Sequence, residues 1–268
     1  MKKSLEMLIV VVLIFTMADY GAAETKIQDM VVQYDVQGTM MKGYLAYDES
    51  IKEKRPGVLV VHEWWGLNDY ARKRARMLAE LGYTALALDM YGEGKVATHP
   101  TDAGKFSSEL MKNFDVGKAR FTEGTNVLKK HPTVDATKIA AIGYCFGGGV
   151  VLNMARQGMD LKGVASFHGG LTAVQPAQPG AVKTAILVLH GADDKFTTAK
   201  QIEDFKQEME ATGADFRFIA YPGAVHSFTN PDADELGKKF NIPIGYNRAA
   251  DEQSWEELKN FLKKIFEE

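Results

Sequence analysis

The residues with the most chemical potential lie in Gly143-Tyr144-Cys145-Phe146-Gly147. An apolar run, Ile139–Ile142, stands before them, and a helix-like run, Gly149-Val150-Val151-Leu152, stands after. A strand that turns this sharply into a helix holds its nucleophile in a strained backbone conformation. It also leaves no room for side chains two residues to either side. Such a turn places the sulfur at a helix N-terminus, where the dipole favours a thiolate. Cys145 is the single cysteine among 268 residues, so it has no disulfide partner within the chain.

Acyl transfer by a thiol also requires a base, a carboxylate to orient that base, and donors for the oxyanion. His226 follows an apolar stretch and the dipeptide Pro222-Gly223, in a loop short enough to fix an imidazole. Asp194 closes Gly191-Ala192-Asp193-Asp194, again after an apolar stretch. Asp193 competes with it, although its place also suits a turn residue; the spacing from Gly191 favours Asp194. Cys145, Asp194 and His226 occur in the nucleophile–acid–base order that α/β hydrolases use. The oxyanion donors expected are the backbone N–H of Phe146 and that of Trp64, in the loop after Val58–Val61. Glu63 precedes Trp64 at the end of an apolar strand. Burial there should raise its pKa and let it exchange a proton with a thiol; the alternative is a partly exposed glutamate capping a nearby N–H. His62, His168 and His190 show no metal-ligand spacing, and each is expected to cap a strand end or pack near the site. No metal and no organic cofactor is expected.

These positions need a scaffold that brings strand ends together. Continuous apolar runs at 58–61, 84–88, 139–142, 164–167 and 185–189 read as parallel strands buried on both faces, and 216–221 as the last strand. Residues 30–36 and 41–47 alternate weakly around Gly38, as a hairpin would. Helical patterns occupy 70–81, 103–113, 115–130, the stretch from the elbow to about Gln157, 198–211 and 249–266. Asn68 or Asp69 caps the first and Gly82 stops it. Residues 93–102 read as a surface excursion, and 172–183 and 230–246 as loops. Strands alternating with helices imply an α/β fold, a mostly parallel central sheet with helices on both faces. No repeat or linker divides it. Ligands of such sheets bind at the carboxyl ends of the strands, where all the singled-out residues fall.

The chain is 46% hydrophobic and 25% charged, with a formal net charge of −3, which gives no reason to expect a nucleic-acid partner. Lys2 and Lys3 precede an apolar run from Met7 to Met17, and Gly21-Ala22-Ala23 follows. That order reads as a secretory signal peptide over residues 1–23, leaving one domain over 24–268 in the periplasm or outside the cell. An uncleaved N-terminal anchor is the alternative, although the run is short for a membrane span. After cleavage no stable membrane association is expected, and the mature protein is expected to be a monomer. In an oxidising space a lone cysteine is inert core, an intermolecular link or a working thiol, and the flanking glycines favour the last.

With these motifs in hand, the sequence resembles the dienelactone hydrolase family over roughly residues 28–268. The resemblance is carried by His62-Glu63-Trp64-Trp65-Gly66-Leu67-Asn68, Asp89-Met90-Tyr91-Gly92, Gly143-Tyr144-Cys145-Phe146-Gly147-Gly148, Gly191-Ala192-Asp193-Asp194-Lys195-Phe196 and His226-Ser227-Phe228. It implies an α/β-hydrolase fold and a triad of Cys145, Asp194 and His226. Trp64 and Phe146 would donate to the oxyanion, and Glu63 would correspond to a glutamate that contacts and helps activate the resting thiol. The activity implied is the cofactor-free opening of an enol-lactone to maleylacetate. The family's prototype has an arginine four residues beyond the catalytic histidine that helps bind the substrate carboxylate, and here that position is Asn230. The prototype is also cytosolic. Both departures bear on the substrate and leave the acyl-transfer groups in place. A broad carboxylesterase or thioesterase and a hydrolase-like fold kept for binding are the alternatives.

Overall fold

The structure is a computed structural model that describes residues 25–267; the expected signal peptide and the expected mature start at Glu24 lie outside the described residues. Strands β1 (Ile27–Val36) and β2 (Thr39–Asp48) pair antiparallel along their whole length. Gln37 and Gly38 between them both have positive φ, 53° and 82°. That pair of conformations matches the twist of a tight hairpin. The other strands are β3 (Arg55–Val61), β4 (Thr84–Leu88), β5 (Val134–Tyr144), β6 (Gly163–Phe167), β7 (Ala185–Gly191) and β8 (Phe216–Tyr221). They form one eight-stranded sheet in the order β1-β2-β4-β3-β5-β6-β7-β8. β2 is antiparallel to β4, and every pairing from β4 to β8 is parallel.

Buried runs such as Val58–Val61 serve both faces because successive side chains point to opposite sides. Leu59, Val61, Leu86, Leu88 and Ala141 join one core with residues of α3 (Phe114–Lys130), α4 (Phe146–Arg156) and α5 (Ala199–Thr212). Val58, Val60, Ala85, Ala87 and Ile142 join a second core with residues of α1 (Asp69–Glu80) and α7 (Arg248–Glu267). Asn68 caps α1, accepting a hydrogen bond from the Ala71 N–H at 3.3 Å. Thr198 and Gln201 form a capping box on α5, which ends at Gly213 in the left-handed region, φ 70°.

Two segments differ from the expectation. β3 begins at Arg55, three residues before the apolar run at 58–61, and so takes in Pro56; lacking an N–H, Pro56 sits where the register with β5 shifts between Arg55 and Gly57. Residues 93–102 are largely exposed, as expected of a surface excursion, and are anchored at Ala97. The Ala97 N–H donates to the Trp65 carbonyl at 2.8 Å, and both residues are buried. The segment leads into α2 (Pro100–Lys112). The stretch 230–246 contains a helix, α6 (Ala233–Phe240). Gly237 inside it obscures the pattern, and a Cβ there would meet the Ile244 carbonyl at 2.7 Å.

The parallel registers align Val61 with Gly143, Tyr144 with Phe167, Phe167 with Leu189, and Gly191 with Tyr221. The loops leaving β3, β5, β6, β7 and β8 therefore emerge at one edge. They carry Glu63 and Trp64, Cys145, His168, Asp194 and His226 respectively.

Candidate active site

Cys145 stands between β5 and α4 at φ 53° and ψ −116°, a conformation that a side chain adopts only under constraint. The constraint is packing. A Cβ on Gly143 would run into the Gly147 carbonyl, and one on Gly147 into the carbonyls of Val61 and His62. The Cys145 N–H is shared between the Phe167 carbonyl at 3.0 Å and His168 Nδ1 at 3.1 Å. The side chain is partly exposed and lines a cavity of about 360 Å³ together with Trp64, Phe146, His226 and Ser227.

His226 Nδ1 donates to Asp194 Oδ2 at 2.7 Å, and Asp194 Oδ1 accepts from the Phe196 N–H at 2.8 Å. Asp193 is exposed, and its own N–H is bound to the Ala224 carbonyl at 2.9 Å. The structure thus brings Asp194, not its neighbour, to the imidazole. Burial disfavours a charged His226. The Cys145 charge, the Asp194 hydrogen bond, a hydrogen bond with Cys145 and the Asp194 charge outweigh it, and the pKa is raised to about 10. A protonated imidazole is what these groups favour near neutral pH.

Glu63 is buried, and burial raises its pKa, opposed by hydrogen bonds from Ser227 and Asn230 and by the charges of His226 and Arg74. Ser227 Oγ donates to Oε1 at 2.9 Å and Asn230 Nδ2 to Oε2 at 2.6 Å. The carboxylate therefore joins the loop before Trp64 to the loop after His226. Asn230 is 2% exposed and is directed at Glu63.

The loop holding Trp64 is tied at both neighbouring carbonyls. The Met90 N–H donates to His62 Nε2 at 3.3 Å, so the other ring nitrogen carries the proton and gives it to the Glu63 carbonyl at 2.5 Å. Burial lowers the His62 pKa to about 4, which keeps this ring neutral. Tyr91 Oη donates to the Trp64 carbonyl at 2.9 Å. These two bonds fix the peptide that carries the Trp64 N–H. Among the described residues, neither that N–H nor the Phe146 N–H, at the uncapped start of α4, has a protein acceptor.

His168 holds the elbow from the other side. Nδ1 accepts the Cys145 N–H, so Nε2 carries the proton and donates to Thr229 Oγ1 at 2.7 Å. Burial, then the charges of His226 and Arg74, set its pKa well below the usual histidine value. Thr229 continues to Tyr70 Oη at 2.6 Å, and Arg74 binds Tyr70, the Thr229 carbonyl and Asp251. From sequence, His62 and His168 fall near the site without a task, Ser227 enters only as part of the His226-Ser227-Phe228 motif, and nothing draws attention to Thr229. Their only signal was position at strand ends or next to His226; which atoms they meet depends on the folded loops. His190 packs against Phe218, ring centroids 5.6 Å apart. Among the described residues no group of His, Cys, Asp or Glu is arranged to hold a metal ion.

Comparison with known proteins gives consistent neighbours. The profile of the dienelactone hydrolase family matches residues 41–266. "Protein usf" of Aquifex pyrophilus is 28% identical over 210 residues, 77% of this chain and 89% of that protein. Among solved structures, the dienelactone hydrolase-like promiscuous phosphotriesterase P91 from metagenomic libraries is 33% identical with a TM-score of 0.83. That match covers 90% of this chain and 99% of that one. The structure named m3DLH is 34% identical with the same TM-score and coverage.

Proposed function

The chain belongs to the dienelactone hydrolase family and has the α/β-hydrolase fold, and on that premise we propose that it opens lactones or esters through Cys145, His226 and Asp194. The observation that carries the reading is the buried His226–Asp194 hydrogen bond beside a strained, partly exposed cysteine at a cavity wall.

The thiolate attacks the carbonyl carbon, forming a C–S bond. The negative charge moves to the carbonyl oxygen, which the N–H groups of Trp64 and Phe146 receive. Collapse of the tetrahedral species breaks the acyl C–O bond and expels an enolate or alkoxide. An alkoxide takes the proton of the His226 imidazolium as it leaves, whereas an enolate departs with little help and takes that proton afterwards; either way His226 is neutral when water arrives. Water then attacks the thioester, His226 accepts its proton, and the acid and the thiolate are released. Asp194 holds the tautomer of His226 and supports its charged form throughout.

The test is turnover of a panel of neutral enol-lactones, aryl esters and thioesters by the wild type and Cys145→Ala, with trapping of the acyl-enzyme by intact mass. Wild-type turnover with an acyl adduct, both lost in Cys145→Ala, is expected. Turnover that survives in the variant would exclude the thioester route, and no turnover together with an iodoacetamide-inert thiol near neutral pH would favour a binding role. Neutral phosphotriesters are a second class to include, because P91, at 33% identity over nearly the whole domain, is described as a promiscuous phosphotriesterase.

A further inference from the structure

The cavity beside Cys145 says more about its substrate than the fold does. Trp64, Met111, Phe146, Phe196 and Ile244 make most of its wall, and Ser107, Ser108 and Thr172 also line it, their hydroxyls engaged with the Ala103 and Lys105 carbonyls and with Gln201. Among the described residues that line it, none is Lys, Arg, Asp or Glu, and His226 is the one basic side chain. The basic residues of the flanking elements are directed elsewhere. Lys105, Lys112 and Lys195 are exposed and do not line the cavity. Arg74 is buried behind the site, committed to Asp251, the Thr229 carbonyl and Tyr70.

A carboxylate brought into this space would lose hydration and find as its only cation the His226 imidazolium, which is already engaged by Asp194 and Cys145. It would also approach Glu63 across Ser227, which both lines the cavity and donates to that carboxylate. An alkyl or aryl group, by contrast, would replace water on five apolar side chains. The volume of about 360 Å³ is at the small end of the usual range for ligand pockets, roughly 300–1,000 Å³.

We infer that the site takes electrically neutral lactones and esters with a compact apolar acyl group, and discriminates against substrates that carry a carboxylate on the acyl side. The inference rests on hydrolysis at Cys145 as proposed above. Three p-nitrophenyl esters with one leaving group separate charge from size: the hexanoate, the adipate monoester, which puts a carboxylate in place of the terminal methyl, and the methyl adipate, which is as long but neutral. For the wild type near neutral pH, kcat/KM for the adipate monoester should fall about 100-fold below the hexanoate, ~2.8 kcal/mol, and the methyl adipate should recover most of that loss. Met111→Lys, which leaves the proposed triad untouched, should narrow the gap at least tenfold by raising the adipate rate. Equal rates for hexanoate and adipate monoester would overturn the charge inference while leaving the proposed hydrolysis standing. A deficit shared by the methyl adipate would also overturn it, because size would then be the cause. Failure to turn over even the hexanoate would sink both this inference and the reading on which it rests.

Discussion

At Asp194 and His226 a single hydrogen bond separates two adjacent aspartates with very different surroundings. Asp194 is enclosed, with one oxygen on the Phe196 N–H and the other on the imidazole, whereas Asp193 faces solvent. Asp194→Asn should reduce kcat by about 10³–10⁴-fold through loss of the correct tautomer and of charge support, and Asp193→Asn should stay within a few-fold of wild type. Equal losses in steady-state assays would reverse the assignment. The same pair makes stability depend on pH. His226 has a folded pKa of about 10, raised above its ordinary 6.5. The stabilisation it carries is therefore complete below about pH 6.5 and disappears as pH rises towards and through 10. Asp194→Asn removes part of that support, so its deficit in melting temperature should be largest near pH 6 and shrink as pH approaches 10. A deficit that does not vary across that window would show that the carboxylate does not hold the imidazolium. Glu63 has an expected effect on the thiol, and its hydrogen bonds to Ser227 and Asn230 add the task of tying the oxyanion loop to the His226 loop. Glu63→Gln retains the shape but places an amide donor against Asn230 Nδ2 or Ser227 Oγ. Lactone turnover should fall by about tenfold or more, as for loss of a charge-assisted bond worth roughly 1.5–3 kcal/mol, and the pH profile of Cys145 alkylation should shift. An unchanged profile with unchanged turnover would make the residue a structural one.

The elbow between β5 and α4 is the element on which the site's geometry depends most closely. Gly147 lets α4 approach β3 until backbone meets backbone, since a Cβ there would contact the Val61 and His62 carbonyls. Its N–H also donates to the His62 carbonyl at 3.1 Å. Gly147→Ala must push α4 outward, and with it the Phe146 N–H. Overpacking of this kind costs about 1–3 kcal/mol. A lower melting temperature together with a lower kcat is the expected result, measured by thermal denaturation and by turnover at a temperature where the variant is folded. A variant as stable and as active as wild type would show that the close approach is not required. This element was legible from sequence because a tight strand-to-helix turn demands small residues on both sides of its nucleophile, and Gly143 and Gly147 stand at those offsets from Cys145. So were the parallel strands, whose apolar runs at 58–61, 84–88 and 139–142 have no exposed face. Helix α6 was not legible, because its glycine serves a contact with Ile244 that is distant from any local pattern. The support given by His62 and His168 was hidden for a related reason. A buried neutral imidazole is defined by what it touches, and its partners, Met90 and Thr229, come from other loops.

At the scale of the whole molecule, the domain is tied together from Lys26 onward. The Lys26 N–H donates to Asp48 Oδ1 at 3.0 Å and its ammonium to Glu49 at 2.9 Å, and β1 then pairs with β2 from Ile27 to Val36. A cut after Ala23 leaves every one of these bonds in place. No helix among the described residues is long and apolar enough to cross a membrane. We propose, from the order of charged, apolar and small residues at the N-terminus, that the chain is exported and its mature form begins at or near Glu24. Intact-mass measurement of protein recovered from a fractionated host should then show loss of residues 1–23 and recovery outside the cytoplasm. Protein produced from residue 24 should melt within about 1–2 °C of the processed form, because the bonds that tie down the first strand begin at Lys26. Retention of residues 1–23 with the protein in the membrane fraction would establish the anchor instead. In that case the catalytic predictions above would still apply, since every group they invoke lies beyond the first strand.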